Sequence, residues 1–591
     1  LLSVYLRCLG ANIGKDVFLG ADFGTPDLVS IGDRAIVSDG ADLATTHVEG
    51  GMLRIGSVKI GADAFVGDMA IIGRDGSIGA GGALEDLSAL SPGGRIGESE
   101  RWSGSPARRI AEVASTPAGD APRLGRRAGV IAGLVAASFL LPFSSLLPIA
   151  PGMAALTALN PKAAGWDLLP YAPLLALSYV VCMCLLTAAV KWALLGRIKA
   201  GRYSIWSGFY VRYWFVERLN AMALDLLHPI FATLYVRPWY RLLGARVGKR
   251  CELSSASAVS HDLIDFGEES FIADGVSFGA ARMERGALRL AETRIGRRTF
   301  IGNSALLPTG AHVADGVLIG VLSKPPEEID AGEAGATWFG SPPLRLPNRP
   351  TATAYSQETL FHPSKRLIAT RLGIEYLRIT LSLTVFVGLF CAMLGLFDWI
   401  LALPSGLTWL VVSFPAIYLG FNICAGAIVL ALKWLVIGRY RGRTAPLWSL
   451  FVWRSELVTS TYETLVAGQF LGPLQGTPYI NIFLRLMGCR IGKRVFTDTT
   501  DITEFDLVRV GDDAALNAGC GLQTHLFEDR VMKLGPIDVG RRAAIGRLSI
   551  VLYDSVLEEG ARLGDLSVVM KGETLPADTS WEGSPAQSIA A

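Results

Sequence analysis

A segment with a six-residue repeat occurs three times in the chain, and long apolar spans lie in pairs between the copies. These observations predict three left-handed parallel β-helix domains of the hexapeptide-repeat type, interleaved with pairs of transmembrane α-helices. The repetition is direct: "RCLGANIGKD" (7–16) recurs as "RLLGARVGKR" (241–250) and "RLMGCRIGKR" (485–494). Three copies in one chain predict a pseudo-trimeric arrangement with clefts between the domains.

The six-residue spacing predicts the β-helix. Ile60, Val66, Ile72 and Ile78 are each followed by glycine. A period of six fits neither an amphipathic helix nor an alternating strand. It fits a coil whose flat faces each turn one aliphatic residue inward, because glycine lets the backbone turn tightly at each corner.

The apolar spans set the domain boundaries. Each span has the ~20 residues that a bilayer requires, so the chain is predicted to be a multi-pass protein of the cell membrane. Lys and Arg flank the spans on the β-helix side, and this distribution predicts that the β-helix domains lie in the cytoplasm. The segments 206–219 and 448–458 are predicted to form helices that lie at the membrane interface; ordinary partly buried helices are the alternative. The spans are 128–149, 171–195, 376–402 and 408–437; the β-helix domains are 1–112, 241–347 and 485–591; the membrane regions are 125–240 and 365–484.

Composition supports a membrane protein, since 51% of the 591 residues are hydrophobic and 18% are charged. The formal charge of +2, without a basic run, gives no reason to expect a nucleic-acid partner. The eight Cys are scattered, and the six His are too few for three ligands in each copy, so no metal is predicted. Leu1 lies inside sequence that already reads as structured, and we expect a longer protein around this chain.

A polar segment interrupts the repeat at the same place in each copy: "ADLATTHVEGGMLRIG" (41–56), "VSFGAARMERGALRLA" (276–291) and "CGLQTHLFEDRVMKLG" (520–535). His47 and His525 are predicted catalytic, because a neutral imidazole can accept a proton near pH 7. Packing of the loop is the alternative. The two histidines are four and three residues beyond their hexad positions, so they are not in strict register.

Carboxylates accompany these histidines. Asp27 and Asp506, from a "DL(V/I)" motif found in every copy, are predicted to orient the imidazoles, and Asp262 of the middle copy is predicted to bind substrate. Capping of a turn is the alternative for all three. The predicted substrate-binding acids are Glu49, Glu284, Glu504 and Glu528.

The middle copy carries Arg282 where the others carry histidine nearby. An arginine stays protonated and cannot act as a base, so Arg282 is predicted to bind a carboxylate or a carrier phosphate. The third copy has the fullest set of polar groups: Glu504, Asp506, His525 and Glu528. We therefore expect His525 to be the principal base.

The order of elements, together with "TEFDLVRVGD" (503–512) and "LQTHLFEDRVMK" (522–533), resembles the C-terminal region of ε-poly-lysine synthetase-like nonribosomal peptide synthetases. The resemblance implies a membrane-bound condensation part that joins a carrier-bound amino acid into an isopeptide-linked polymer such as poly-lysine. It implies a phosphopantetheine cofactor on a carrier domain outside this sequence. The partners that it implies are upstream adenylation and thiolation domains, an amino-acid substrate and the membrane. A second copy of the chain, forming a homodimer, is left as a further partner. The family pattern has six membrane helices and the chain shows four. The alternatives are an acyltransferase that uses acyl-CoA, and a non-catalytic scaffold.

Overall fold

Each of the three copies forms a parallel β-helix with three faces. The computed structural model describes residues 2–112, 124–257, 260–284, 286–326, 334–347, 355–528 and 530–589. Parallel neighbours such as Phe65 and Ala83, or Ile71 and Ala89, are one coil apart along the chain. Three hexads therefore build one coil, with one hexad on each face, as the spacing predicts.

In domain 1 (1–112) short strands stack along these three faces, and an antiparallel strand closes the end of one face. The first face contains Asn12–Ile13, Val29–Ile31, Val58–Ile60, Ser77–Ile78 and Arg95–Ile96; the second contains Phe18–Leu19, Ile36–Val37, Phe65–Val66, Ala83–Leu84, Glu100–Ser103 and Arg108–Glu112; the third contains Asp22–Phe23, Asp42–Leu43, Ile71–Ile72 and Ala89–Leu90.

Domain 2 (241–347) and domain 3 (485–591) repeat this plan. The faces of domain 2 contain Arg246–Val247, Ile264–Phe266, Thr293–Ile295 and His312–Val313; Glu252–Leu253, Phe271–Ile272, Phe300–Ile301, Leu318–Ile319, Thr337–Phe339 and Leu344–Leu346; and Ala256–Ser257, Val276–Ala280 and Leu306–Pro308. Those of domain 3 contain Arg490–Ile491, Val508–Val510, Ile537–Val539, Ser555–Leu557 and Thr574–Leu575; Phe496–Thr497, Ala515–Leu516, Ala544–Ile545, Arg562–Leu563, Ser580–Glu582 and Gln587–Ile589; and Gly521–Gln523, Ile550–Leu552 and Val568–Val569.

The inward aliphatic side chains form the core of each coil. Val66, Ile72 and Leu84 of domain 1 are fully buried, as are Ile301 of domain 2 and Ile545 of domain 3. Full burial of such a side chain stabilises the fold by about 1.5–3 kcal/mol. The hexad pattern in the sequence is therefore the pattern of this core.

Four helical segments are long and apolar enough to cross a membrane: Gly125–Leu159, Gly165–Leu194, Lys365–Leu401 and Gly406–Val436. The first combines the helices Leu124–Leu146 and Ile149–Leu159, and the second combines a 3-10 helix, Gly165–Tyr171, with Ala172–Leu194. The other helices are Leu2–Cys8, Pro26–Leu28, Gly208–Leu226, His228–Ile230, Val236–Leu242, His261–Leu263, Gln357–Phe361, Leu450–Tyr462, Glu463–Leu471, Gly472–Leu474, Pro478–Met487 and Phe505–Leu507.

The third apolar helix begins at Lys365, whereas the sequence predicts a span from residue 376. Its first turns carry Arg371, which the predicted boundary leaves outside the span, and Arg378. Arg371 pairs with Glu252 of domain 2 at 2.8 Å, and Arg378 pairs with Glu456 at 2.7 Å. The helix extends beyond its apolar part because Arg371 holds its first turns against domain 2, while Arg378 joins it to the helix Leu450–Tyr462.

The helices predicted at the membrane interface are Gly208–Leu226 and Leu450–Tyr462. Each is capped by a serine, Ser207 or Ser449, whose hydroxyl accepts a hydrogen bond from a backbone N–H of the first turn. Val452 and Trp453 are among their buried residues. These helices pack between the apolar helices and the β-helix domains.

The polar segment of each copy leaves its coil as an antiparallel hairpin. Hairpin 1 pairs Thr46–Glu49 with Met52–Ile55, hairpin 2 pairs Arg282–Glu284 with Ala287–Leu290, and hairpin 3 pairs His525–Glu528 with Val531–Leu534. A third strand is added to hairpin 2 by Gly201–Ser204 and to hairpin 3 by Arg443–Pro446.

Each hairpin contacts a different domain. In hairpin 1 the Val48 N–H donates to Asn517 Oδ1 of domain 3 at 2.8 Å. In hairpin 2 Arg282 donates to Glu85 of domain 1 at 3.2 Å. In hairpin 3 the ring of Phe527 packs on that of Phe271 of domain 2, with 5.4 Å between centroids. The contacts therefore run in a closed ring of three.

The domain ends also meet. The N–H of Ser105 donates to the Ser341 carbonyl at 2.7 Å, that of Ser341 to Ser584 at 3.3 Å, and that of Ser584 to Ser105 at 3.3 Å. All three serines are buried. Each serine belongs to a W-x-G-S-P sequence near the end of its copy (102–106, 338–342 and 581–585), so the three endings pack against one another.

Candidate functional site

A histidine and a glutamate of domain 3 form a close pair at the base of hairpin 3. His525 opens the hairpin, and Glu504 directly precedes the short helix Phe505–Leu507. The Nδ1 atom of His525 lies 2.8 Å from Oε2 of Glu504. The hydroxyls of Thr503 and Thr524 donate to the same oxygen at 2.7 and 2.6 Å. Glu504 is buried, so these donors replace water around its carboxylate.

This geometry fixes the state of the imidazole. Because a carboxylate only accepts hydrogen bonds, the proton of the pair lies on Nδ1 of His525. A neutral His525 then has its lone pair on Nε2, the nitrogen that can accept a proton from a substrate. Glu504 therefore holds the position that the sequence led us to expect for Asp506.

The two groups influence each other's pKa. Burial acts to lower the pKa of His525, but the charge of Glu504 and the hydrogen bond between them outweigh burial and raise it above its ordinary value. Burial acts to raise the pKa of Glu504, but His525, Thr524 and Thr503 outweigh it and hold that pKa below its ordinary range. The pair is thus stabilised as imidazolium and carboxylate.

His525 lines a cavity of about 40 Å³ between domain 3, domain 2 and the third apolar helix. A water molecule needs ~10–15 Å³ of such space, so the cavity has room for a few waters or the end of one polar side chain. The lining residues are Ala232, Glu252, Leu253, Ser254, Phe271, Ile272, Ala273, Asp274, Asn303, Arg371, Leu447, Glu456, His525, Leu526 and Phe527.

Carboxyl groups predominate around this cavity. Burial raises the pKa of Asp501 to about 6, of Glu456 to about 7 and of Glu463 to about 8. The charge of Asp274 contributes to each of these increases. Carboxyls that raise one another's pKa have too little positive charge nearby, and a bound cation would relieve their repulsion.

Three arginines balance part of this charge. Arg371 is almost fully buried and pairs with Glu252 and with Glu375, at 2.8 and 2.6 Å. Arg378 pairs with Glu456, and Arg530, at the tip of hairpin 3, lies 3.5 Å from Glu252. Asp274, Asp501 and Glu463 have none of these ion pairs. The site is therefore acidic and suits an ammonium group.

The predicted aspartates lie elsewhere. Asp506 pairs with Lys433 at 2.8 Å and accepts the Tyr440 N–H at 3.0 Å. Asp262 likewise pairs with Lys191 at 2.7 Å and accepts the N–H of Ile198 at 3.0 Å. These two residues join the end of an apolar helix to a β-helix domain. The prediction that Asp506 orients His525 is wrong in its geometry, because the carboxylate is already engaged by a lysine.

Asp27 is the third member of this motif. It is exposed, and its Cβ lies only 3.0 Å from the point where a side chain at Gly10 would begin. Asp262 and Asp506 approach Gly244 and Gly488 with a carboxylate oxygen instead. Asp27 thus occupies the matching place in its coil, and no ion pair or hydrogen bond joins it to His47 within the described ranges.

The hairpin glutamates form ion pairs. Glu528 pairs with Lys533 at 2.5 Å and with Lys571. Glu49 lies 2.8 Å from Arg562. Glu284 lies 3.5 Å from Arg289 and is also near Arg282 and Arg202. The structure therefore engages these predicted substrate-binding residues with cations of the chain itself.

His47 has a different environment from His525. Burial is the largest influence on His47 and lowers its pKa, with Asp565, Glu49, Arg74 and Arg547 nearby. Among the residues that the structure describes, no carboxylate is hydrogen-bonded to its ring. Asp565 and Glu49 act to raise the pKa of His47, but they do not outweigh burial as Glu504 does for His525.

Arg282 lies among carboxylates of domain 1. Its guanidinium donates to Glu85 and stacks over Phe65, 5.3 Å from the ring centroid. Burial acts to lower its pKa, but Glu85, Asp86 and Glu284 outweigh it and raise that pKa further. A phosphate at this place would have to compete with these carboxylates.

Hairpin register identifies the true counterparts of His525. His525 faces Leu534 across hairpin 3, and Thr46 faces Ile55 at the same position of hairpin 1. His47 is one residue further along, where hairpin 3 has Leu526. Successive side chains of a strand point to opposite faces, so the two histidines do not share a face. The position of Glu504, two residues before the motif aspartate, is Thr25 in copy 1 and Ser260 in copy 2.

Sequence reasoning missed several acids of this site: Glu252, Asp274, Glu456, Glu463 and Asp501. One signal was present for Asp501, since "DITEFD" (501–506) has two acids ahead of the motif aspartate, whereas "DFGTPD" (22–27) has one and "SAVSHD" (257–262) has none. The others come from domain 2 and from the helices after the fourth span, and only the folded chain brings them to hairpin 3.

Within the described ranges, no group of three or more His, Cys, Asp or Glu residues is placed to hold a metal ion.

The comparisons with known proteins bear on the chemistry. No family model matches the chain. Over 606 aligned positions the chain is 38% identical to the delta-poly-L-ornithine synthetase of Acinetobacter baumannii (strain AB307-0294), a match that includes 99% of this chain and 45% of the relative. The chain thus spans just under half the length of this curated relative.

Two solved structures are similar to parts of the chain. A hexapeptide-repeat-containing acetyltransferase from Vibrio cholerae is 13% identical, over 19% of this chain and 80% of its own, with a TM-score of 0.17. A maltose O-acetyltransferase from Clostridium difficile 630 is 18% identical, over 20% and 81%, with a TM-score of 0.18. These scores are too low to add to the fold, which rests on the strand pairing described above.

Proposed function

We propose that the chain is the membrane-bound, amide-forming part of a poly-amino-acid synthetase, and that His525 is its general base. The donor is an aminoacyl thioester held by the phosphopantetheine of a carrier domain, and the acceptor is an amine of a basic diamino acid or of the growing polymer. The observation that carries the proposal is the pair of His525 and Glu504 at an acidic inter-domain cavity. The similarity to a poly-ornithine synthetase supports it over most of the chain.

The acidic cavity explains how an amine reaches the base. A side-chain ammonium has a reference pKa of ~10.4 and must lose a proton before it attacks an acyl carbon. Asp274, which forms no ion pair within the described part of the chain, attracts the cation at the cavity wall, and Nε2 of His525 accepts its proton. The amide bond forms as the thioester bond breaks, and the proton taken by His525 passes to the departing thiol. Such a base contributes about 10²–10⁴-fold to the rate.

The described residues around His525 fit the ammonium of the acceptor and do not fit the phosphate of the carrier's arm. The cavity is lined by carboxylates, and its arginines are already paired with Glu252, Glu375 and Glu456. Arg282, predicted from the sequence to bind this phosphate, is engaged by Glu85 in another cleft. These residues therefore provide no site for the phosphate of the arm.

The arrangement and location of the domains are part of the proposal. The closed ring of hairpin contacts and the meeting of Ser105, Ser341 and Ser584 support a pseudo-trimer within one chain. The four apolar helices support association with a membrane. We propose that the β-helix domains face the cytoplasm, where a carrier loaded with an ATP-activated amino acid would reach them. The polymer unit is left as the class of basic diamino acids, with lysine the sequence expectation and ornithine the unit in the relative's name.

The test uses the full-length synthetase that contains this chain. His525→Ala should reduce polymer formation by about 10²–10⁴-fold while the carrier domain still accumulates its aminoacyl thioester. Normal polymer from this variant would overturn the proposal. The matched control is His47→Ala, which should keep both steps.

The acyl-CoA alternative is separated by the donor. Membranes that contain the protein would receive either the loaded carrier or an acyl-CoA, and the amide product would be measured. Amide formation from acyl-CoA alone would favour the simple acyltransferase. A scaffold role would be favoured if His525→Ala and wild type made polymer equally fast.

A further inference from the structure

Hairpin 1 differs from the other two hairpins at its outer edge. In hairpin 2 the strand Gly201–Ser204 pairs antiparallel with Ala287–Leu290, and in hairpin 3 Arg443–Pro446 pairs with Val531–Leu534. The corresponding strand of hairpin 1 is Met52–Ile55, and among the described residues it pairs only with Thr46–Glu49. Its outer backbone groups therefore form an open strand edge, which favours pairing with another strand.

The side chains of this edge are apolar in all three copies, yet they are exposed only in the first. Leu53 and Ile55 are each 58% exposed. Their counterparts are 1–6% exposed because the added strand and the chain around it cover them: Leu288 3%, Leu290 2%, Met532 1% and Leu534 6%. An apolar strand that is buried in two copies has the surface of an interface in the third.

The helix that opens each copy shows the same difference. Leu2, Tyr5 and Leu9 of the first copy are 48%, 61% and 46% exposed. Their counterparts are buried: Val236 0%, Trp239 4% and Leu243 1% in the second copy, and Ile480 0%, Phe483 7% and Met487 0% in the third. Two separate elements of domain 1 therefore lack the same cover.

The motif aspartate is a third, electrostatic observation. Asp262 pairs with Lys191 and Asp506 with Lys433, and each lysine stands ten residues before the start of the added strand, at Gly201 or Arg443. Asp27 is exposed, and within the part of the chain that the structure describes no Lys or Arg forms an ion pair with it.

We propose that domain 1 binds a connector segment of the same polypeptide that precedes it in the longer protein. The connector has a lysine that pairs with Asp27 and, ten residues later, an extended strand that adds to Met52–Ile55. In the second and third copies the added strand begins 40 residues before Arg241 and 42 residues before Arg485. Arg7 is the corresponding residue of the first copy, so the matching segment would precede Arg7. The matched region is 45% of the relative, so the relative has further sequence outside that region.

Domain 1 would recognise the connector through both backbone and side-chain contacts. The added strand supplies main-chain hydrogen bonds along the open edge, and its neighbours cover Leu53 and Ile55. The lysine supplies a positive charge for Asp27, in the geometry seen at Asp262 and Asp506. The inference does not rest on the proposed catalytic function, and its test does not measure polymer.

The test compares two adjacent positions of one strand in the full-length protein. Leu53→Cys and Arg54→Cys are each reacted with a maleimide in native membranes, and labelling is followed on the peptide that contains the strand. Arg54 corresponds to Arg289, which is exposed in the complete hairpin 2. Leu53→Cys should therefore react at least about tenfold more slowly than Arg54→Cys. Equal rates would overturn the proposal.

A second measurement needs no substitution at the edge. Amide hydrogen exchange in the wild-type protein should be as slow in Met52–Ile55 as in Val531–Leu534, because both edges are then paired. Asp27→Asn should speed labelling of Leu53→Cys. Fast exchange in Met52–Ile55, with slow exchange in Val531–Leu534, would contradict the presence of a connector. Protection that disappears on dilution would also contradict it, because it would identify a second copy of the protein as the occupant.

Discussion

Hairpin 1 and hairpin 3 are built from the same repeat, and in hairpin 3 a histidine lines an acidic cavity. His525 faces Leu534 and bonds Glu504, whereas the same position in hairpin 1 is Thr46, which faces Ile55. His47 is displaced by one residue and therefore lies on the other face of its strand. A single position of register separates a candidate catalytic histidine from one whose ring has no carboxylate hydrogen-bonded to it among the described residues.

The comparison also shows how a triplicated chain can specialise. The position of Glu504 is Thr25 in copy 1 and Ser260 in copy 2, and that of His525 is Thr46 and Ala281. Both members of the pair thus occur together only in copy 3. Hairpins 1 and 2 retain contacts to the next domain, through Val48 and Arg282, without this pair. Hairpins 1 and 2 thus contribute contacts between domains, whereas the proposed general base lies on hairpin 3.

The largest expected effect comes from moving the histidine by one position. In the double variant His525→Leu with Leu526→His, the imidazole occupies the register of His47 and loses Glu504. Polymer formation should fall by about 10²–10⁴-fold, as for loss of a general base. The control His47→Leu should stay within about twofold of wild type. Polymer made at the wild-type rate by the double variant would refute the importance of register.

The next effect concerns the anchoring of hairpin 3. Arg530 is 2% exposed, lies 3.5 Å from Glu252 and donates to the backbone carbonyls of Arg250 and Glu269 in domain 2. Breaking such a buried pair deprives a carboxylate and two carbonyls of this donor. Arg530→Met should lower the free energy of unfolding by about 3 kcal/mol, as measured by chemical unfolding in detergent. A loss below ~1 kcal/mol would show that the hairpin is held by its apolar contacts instead.

The pH dependence tests the role of Glu504. His525 has a raised pKa because of Glu504, and it must be neutral to accept a proton, so the rate should rise with pH through that raised pKa. Glu504→Gln removes the negative charge, which lowers the pKa of His525 and moves the rise in rate to lower pH. The measurement is the pH profile of polymer formation at saturating thioester.

The matched control for this profile is Glu528→Gln, in the same hairpin but paired with Lys533. It should leave the rise in rate where it is in the wild type. A profile that Glu504→Gln does not move would mean that the rate depends on another proton, such as that of the substrate amine itself.

The smallest effect is expected at the corresponding anchor of hairpin 1. The pair of Glu49 with Arg562 is close, at 2.8 Å, but the arginine side chain is 61% exposed. Exposed ion pairs contribute about 0–1 kcal/mol, so Arg562→Met should cost less than ~1 kcal/mol under the conditions used for Arg530→Met. An equal loss from both substitutions would remove the difference between the two anchors.

The repeat pattern predicted the fold well because it is local. Val66, Ile72 and Leu84 form the core at the spacing of the hexads, and the apolar spans are visible from composition alone. The boundary at residue 376 was wrong because the ion pair of Arg371 with Glu252 joins residues far apart in the chain. A hydropathy pattern cannot detect a helix turn that is polar but paired.

The candidate site was predictable only in part. His525 and Glu504 could be selected from the sequence, but their contact could not: the sequence favoured Asp506 as the carboxylate that orients the imidazole, and Asp506 pairs with Lys433 instead. Asp274 and Glu252 come from domain 2, and Glu456 from the helix after the fourth span. The charges of Asp274 and Glu456 act on His525 through space, at a place that no spacing within copy 3 encodes.

The sequence by itself determined the three β-helices and the four apolar helices, because inward packing and bilayer length repeat residue by residue along the chain. Tertiary structure alone decided which carboxylate holds His525, which face His47 occupies and which domain each hairpin contacts. These depend on strand register and on contacts between copies, and a shift of one residue reverses the face of every side chain in a strand.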